Sequence, residues 1–107
     1  MDNFEAVIGR LMLAHAKLKA IDPGLLSEKR RKERSKRMKE LRRAIEDVIA
    51  LKFGELSEAG RQNAEELDAA TTQLLDTLSG MQTAIQIIDA ISAGLGAIVN
   101  LIGLIRT

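Results

Sequence analysis

Leu67, Thr71, Leu74, Leu78, Met81, Ile85, Ile88, Ser92, Leu95, Val99 and Ile102 follow one another at alternating four- and three-residue steps without a slip. Such spacing puts every one of these side chains on one side of an α-helix. A strand cannot use it, because strand side chains alternate with period two. Read as one helix over 58–105, the segment is about 70 Å long at ~1.5 Å per residue. A small globule rarely contains such a rod, so the pattern predicts an all-α chain built as an elongated helical hairpin or coiled coil, or as a three-helix arrangement with a long heptad-patterned C-terminal helix. Composition points the same way: with two Phe and neither Trp nor Tyr among 107 residues, Leu, Ile, Val, Met and Ala must supply the core, which suits interdigitating helices better than a sheet.

The rest of the chain divides by local chemistry within a single helical domain. Phe4, Val7, Ile8, Leu11, Met12, His15, Leu18 and Ile21 recur on one face of a first helix over 3–21. Asp22-Pro23-Gly24 ends it, since Pro23 has no amide hydrogen and disfavours helical geometry at Asp22; the same residues are suited to start a second helix over 23–53. In that helix Met38, Leu41, Ile45, Val48 and Ile49 form an apolar stripe, whereas Ser27 to Arg37 has no apolar residue on any face. The polar half is therefore expected to be solvated or to lie against something negative. Gly54 is a candidate C-terminal cap and Ser57 an N-cap for the third helix, so a corner is expected at 54–60. Folding back there would set the basic second helix against the acidic start of the third, with residue 43 near 71 and residue 37 near 77.

Charge is distributed unevenly. Residues 29 to 43 hold ten basic and two acidic side chains, a local +8, so the remaining residues carry −7 within a net charge of +1. From Ala90 to Ile105 sixteen consecutive residues bear no charge, and from Met81 to Ile105 the only charge is Asp89. A membrane span needs about 20 apolar residues, which Ile87 to Ile105 nearly supplies if Asp89 and Asn100 are tolerated. Ser92, Gly96, Asn100 and Gly103 make a small, polar strip along an otherwise apolar helix, the surface expected of a helix that packs closely on another or lines a pore. The expected membrane or oligomer interface comprises Ile85, Ile88, Ile91, Ser92, Leu95, Gly96, Val99, Asn100, Ile102 and Gly103. Lys29, Arg30, Arg31, Lys32, Arg34, Lys36 and Arg37 are the expected contacts to an anionic partner, with lipid headgroups as the first candidate. Nucleic-acid phosphates rank lower, since no aromatic residue or glycine-rich loop accompanies the run.

These features predict a small non-enzymatic protein that associates with membrane through its apolar C-terminal helix, as an oligomer and with pore or channel formation as one outcome. The competing expectation is a soluble oligomeric scaffold or adaptor that buries the same helix between identical or different subunits. Catalytic machinery is not expected: His15 is the sole histidine, cysteine is absent, and Glu65, Glu66 and Asp68 have no nucleophile or phosphate loop beside them. No cofactor or metal is implied. The acidic start of the chain, Met1-Asp2-Asn3-Phe4-Glu5, lacks a basic, apolar leader, so synthesis in the cytoplasm is expected, with export by a leaderless route compatible.

Overall fold

A computed structural model describes residues 4–80 and 83–106. Four helices account for most of them: α1 (Phe4–Lys19), α2 (Glu28–Leu51), α3 (Glu58–Leu78) and α4 (Ala84–Arg106), with a 3-10 turn at Pro23–Leu25 between the first two. The all-α expectation holds, and no strand occurs among the described residues. Side-chain oxygens cap the helix starts. Ser27 Oγ accepts from the amide of Arg30 at 3.2 Å and Ser57 Oγ from that of Gly60 at 3.0 Å, each satisfying one of the amides that a helix leaves without an internal partner. Asp22 caps the 3-10 turn instead of α2, accepting from Gly24 at 2.8 Å, so α2 begins at Glu28 and not at Pro23.

The continuous helix expected over 58–105 is two helices. Gly80 has a φ of 95°, a left-handed conformation that L side chains rarely adopt, and α3 stops at Leu78. The expected seam residue Met81 and the neighbouring Gln82 lie outside the described residues, as does Asn3, the expected start of the first helix. The chain then folds back, and α4 packs antiparallel along α3, close enough for a Cβ on Gly94 to stand 3.2 Å from Leu74 Cδ1. Reversal also changes which side chains are internal. In α4 the buried set is Ile88, Ile91, Leu95, Ile98, Ile102 and Ile105, so Ser92 and Val99 leave the expected seam in favour of the isoleucines one position earlier, while Ile85 is half exposed.

The bundle order is not the one expected either. Helix α1 packs chiefly on α2 and α3, and α4 chiefly on α3 and α2, with a lighter contact between α1 and α4 across the centre, so that α2 and α3 occupy one diagonal and α1 and α4 the other. The expected hairpin between the basic and acidic helices is therefore not formed. The 52–57 connection crosses one end of a body measuring 45 × 23 × 18 Å. Between them lies one core cluster, to which Phe4, Val7, Leu11, Ala14 and Leu18 contribute from α1, and Leu41, Ala44 and Val48 from α2. Met12, placed on the internal face by its spacing, is 56% exposed, and Ala14 takes the internal position. The six buried residues of α4 stabilise the bundle by about 9–18 kcal/mol before entropy, at roughly 1.5–3 kcal/mol per large apolar side chain. That helix is structural as well as exposed.

Candidate functional site

Two surfaces remain after the core is assigned. The first is the outer face of α4. Of the ten expected interface residues, Ile88, Ile91, Leu95 and Ile102 are buried in the chain's own core, which leaves them no area for a membrane or a second subunit while the bundle is closed. Ser92 is half-buried and accepts a hydrogen bond from Arg37 Nε at 3.0 Å. Ile85, Gly96, Val99, Asn100 and Gly103 are exposed. Directly opposite the core stripe, Ala93, Gly96, Ala97 and Asn100 form a shallow, uncharged strip, and no atom comes within 4 Å of a Cβ built on Gly96 or Gly103. Helix α4 has 23 residues and is apolar enough to cross a membrane by length and composition, with 28% of its most apolar window buried.

The second surface is α2, and here the structure splits the basic run by face. Arg30, Arg34 and Arg37 point along the bundle and are engaged within the chain. Arg30 donates to Asp89 at 2.7 Å and to Glu33 at 3.1 Å, and its guanidinium is held further into the charged range chiefly by the hydrogen bond to Asp89. Arg34 donates through Nε to the carbonyl of Leu18 at 2.8 Å and through Nη2 to that of Lys19 at 3.2 Å, closing the C-terminal end of α1, where orphan carbonyls and the helix dipole both favour a cation. Arg37 pairs with Glu40 at 2.7 Å. The negative object that the apolar-free half of α2 requires is thus supplied in part by α1 and α4 of the same chain. By contrast Lys29, Arg31, Lys32 and Lys36 are exposed, and Lys39, Arg42 and Arg43 extend the same outer ridge. Of the acids beside this ridge, Glu33 and Glu40 are half-buried and occupied by Arg30 and Arg37, and the exposed Glu28 pairs with Lys32 at 3.5 Å.

Some exposed apolar side chains were not legible as surface residues. Met12 and Leu13 stand out from α1 at 56% and 57% exposure, and Leu25 and Phe53 are each 83% exposed at the two turns flanking α2. Their only sequence signal is position: Leu25 follows Pro23-Gly24 and Phe53 precedes Gly54, where the chain leaves helix and has no neighbour to cover it.

Two polar groups lie between helices. Arg10 of α1 forms an ion pair with Asp68 of α3 and donates to Thr71 Oγ1 at 3.3 Å, while Thr71 itself donates to the carbonyl of Leu67 at 3.0 Å, so the buried hydroxyl is satisfied. His15, on α1 facing α2, has a buried Nε2 without a hydrogen-bond partner among the described residues. Burial, aided by Arg42, Lys19 and Arg34, pushes its pKa down. Among the described residues no three His, Asp or Glu side chains converge to hold a metal ion. Comparison with known protein families, with curated proteins and with solved structures returns no match.

Proposed function

We propose that the protein is a non-enzymatic helical module that assembles with further copies of itself through the outer faces of α1 and α4. The observation that carries this reading is a complementarity of relief. Helix α4 presents a flat strip of Ala93, Gly96 and Ala97, and α1 presents two large protruding side chains, Met12 and Leu13. Because α1 and α4 occupy opposite edges of the bundle, these surfaces cannot meet within one copy. Packing α1 of one copy on α4 of the next is a heterologous contact, which closes into a ring or propagates, according to the rotation between copies. Small residues on one side of such a contact let the helix axes approach closely.

The test is the solution mass of the full chain as a function of concentration, by light scattering, beside the variant Ala93→Glu/Ala97→Glu. Both positions are exposed, so the variant keeps the fold, as helical circular dichroism will verify. A wild type that stays monomeric at high concentration defeats the reading. A second reading has its own observation, the length and apolarity of α4 together with the small share of it that is buried. In that reading α4 leaves the bundle and enters a bilayer, where oligomers form pores, and neutral vesicles would bind the chain and leak a trapped dye. Opening must first overcome the burial of six large apolar side chains, which favours assembly with the bundle closed.

A further inference from the structure

Lys29, Lys32, Lys36, Lys39 and Arg43 recur on α2 at three- and four-residue steps, so five cations line one outward stripe about 21 Å long at ~1.5 Å per residue. Within one helix such like charges at three- and four-residue spacing repel each other. Glu28 relieves Lys32 through an exposed pair at 3.5 Å, whereas Glu33 and Glu40 are committed to Arg30 and Arg37, so the stripe keeps a strong positive excess. The two most exposed large apolar side chains among the described residues, Leu25 and Phe53, sit at the turns flanking the two ends of this same helix. Neither belongs to the core; the Lys52 ammonium, paired with Glu5 of α1, stands 6.0 Å from the centroid of the Phe53 ring. From the coincidence of these features we propose that the outer edge of α2 is a docking surface for an anionic lipid bilayer, with the cationic ridge on the headgroups and Leu25 and Phe53 as apolar anchors at either end.

A bilayer is favoured over other anionic occupants by the anchors. Headgroup and acyl regions offer charge and apolar volume side by side across a plane, and a cationic helix edge bounded by apolar side chains matches that layering. A phosphate backbone has no use for Leu25. The acidic edge of a second copy is a poorer fit, since the exposed acids of α3, Glu58, Glu65, Glu66 and Asp76, are more widely spaced and include Arg61 among them. The inference uses neither α1 nor α4, so it stands apart from self-assembly; with both, copies would assemble while held on a membrane surface.

The experiment is co-flotation of the full-length chain with vesicles of phosphatidylcholine alone and of phosphatidylcholine mixed with phosphatidylserine. Binding is expected only to the anionic vesicles and is expected to weaken with added salt. Lys32→Glu/Lys36→Glu/Lys39→Glu should lower affinity by roughly a hundredfold or more, and Leu25→Ser/Phe53→Ser by about tenfold. The chain lacks Trp, so Phe53→Trp introduces a single indole whose emission should shift to the blue on the anionic vesicles. Every substituted position is exposed, and helical circular dichroism checks each variant's fold. Equal binding to neutral vesicles would overturn the proposal in favour of α4 insertion. An unshifted indole, or a single-stranded oligonucleotide bound more tightly than the anionic vesicles with no effect of Leu25→Ser/Phe53→Ser, would overturn it in favour of a general polyanion surface. Ala93→Glu/Ala97→Glu should lose assembly yet retain selectivity for anionic vesicles: a wild type that floats on them but stays monomeric refutes only self-assembly, and one that assembles but does not float refutes only the membrane surface.

Discussion

Substitution of Gly80 by Ala separates the four-helix bundle from the long rod by the sign of its effect. In the structure Gly80 has a φ of 95° and nothing within 4 Å of an added Cβ, so the cost of Ala is backbone strain alone, with no neighbour to clash or to relax. A left-handed conformation costs an L residue about 1–2 kcal/mol, partly offset by the entropy that Ala removes from the unfolded chain. Gly80→Ala should therefore destabilise by about 1 kcal/mol, lowering the melting temperature by roughly 4–8 °C for a domain of this size. If residues 58 to 105 were one helix, Gly80 would be interior to it, and Ala would stabilise by about 1 kcal/mol. Gly96→Ala is the internal control: Gly96 is helical, exposed and has open space at its Cβ, so a gain of about 1 kcal/mol is expected whichever fold is correct. Urea denaturation followed by circular dichroism reads both at a concentration where light scattering finds monomer, because Gly96 lies on the proposed assembly strip and its substitution would otherwise change assembly as well. A stabilising Gly80→Ala would refute the reversal of the chain at that point and with it the diagonal arrangement.

Leu95, 1% exposed on the inner stripe of α4, should cost about 2–5 kcal/mol when changed to Ala, seen as a lower urea midpoint with helical signal still present in water. Arg34→Gln removes the guanidinium that closes α1, and with the carbonyls of Leu18 and Lys19 losing a charged donor, a loss of about 1–2 kcal/mol is expected in the same assay. His15 binds its proton less readily folded than unfolded, because burial and then Arg42, Lys19 and Arg34 all disfavour the cation. Stability is therefore full above the unfolded pKa of about 6.5 and falls as pH drops below it toward the lowered folded value. Melting temperatures at pH 7.5 and 5.5 should differ for the wild type and differ less for His15→Gln, and equal differences in both would remove His15 as the cause.

The helices could be read from the sequence because the information is local. Apolar steps of three and four residues, Ser57 as a cap and the Pro23 corner act within a few residues of themselves, and helix lies where they predict it, with shifted ends and with the single helix expected over 58–105 divided in two. The candidate site was legible only in part. Absence of charge over 90–105 identified α4 as the exceptional segment, but not that Ile88, Ile91, Leu95 and Ile102 would be consumed by the chain's own core. The basic run was visible as a run, while its division into Arg30, Arg34 and Arg37 facing inward and Lys29, Lys32 and Lys36 facing outward depends on which helices stand beside α2. Arginine carries enough alkyl stem to pack between helices and still reach a carbonyl or carboxylate, so composition alone does not reveal whether it is solvated.

By itself, then, the sequence determined helical class, the position of two of the corners and the concentration of positive charge on α2, since each follows from backbone propensity or from side chains near in sequence. The tertiary structure decided the rest. A heptad seam running unbroken through Leu78, Met81 and Ile85 is indistinguishable, by periodicity, from two helices that each bury one stripe. Gly80 permits the reversal without compelling it, at a cost that packing must repay. What repays it is the burial of α4 against α3 and α2 together, which a straight rod in one chain would leave undone. That long-range gain set the diagonal order of the helices, and the order in turn determined which faces of α1, α2 and α4 remain for partners.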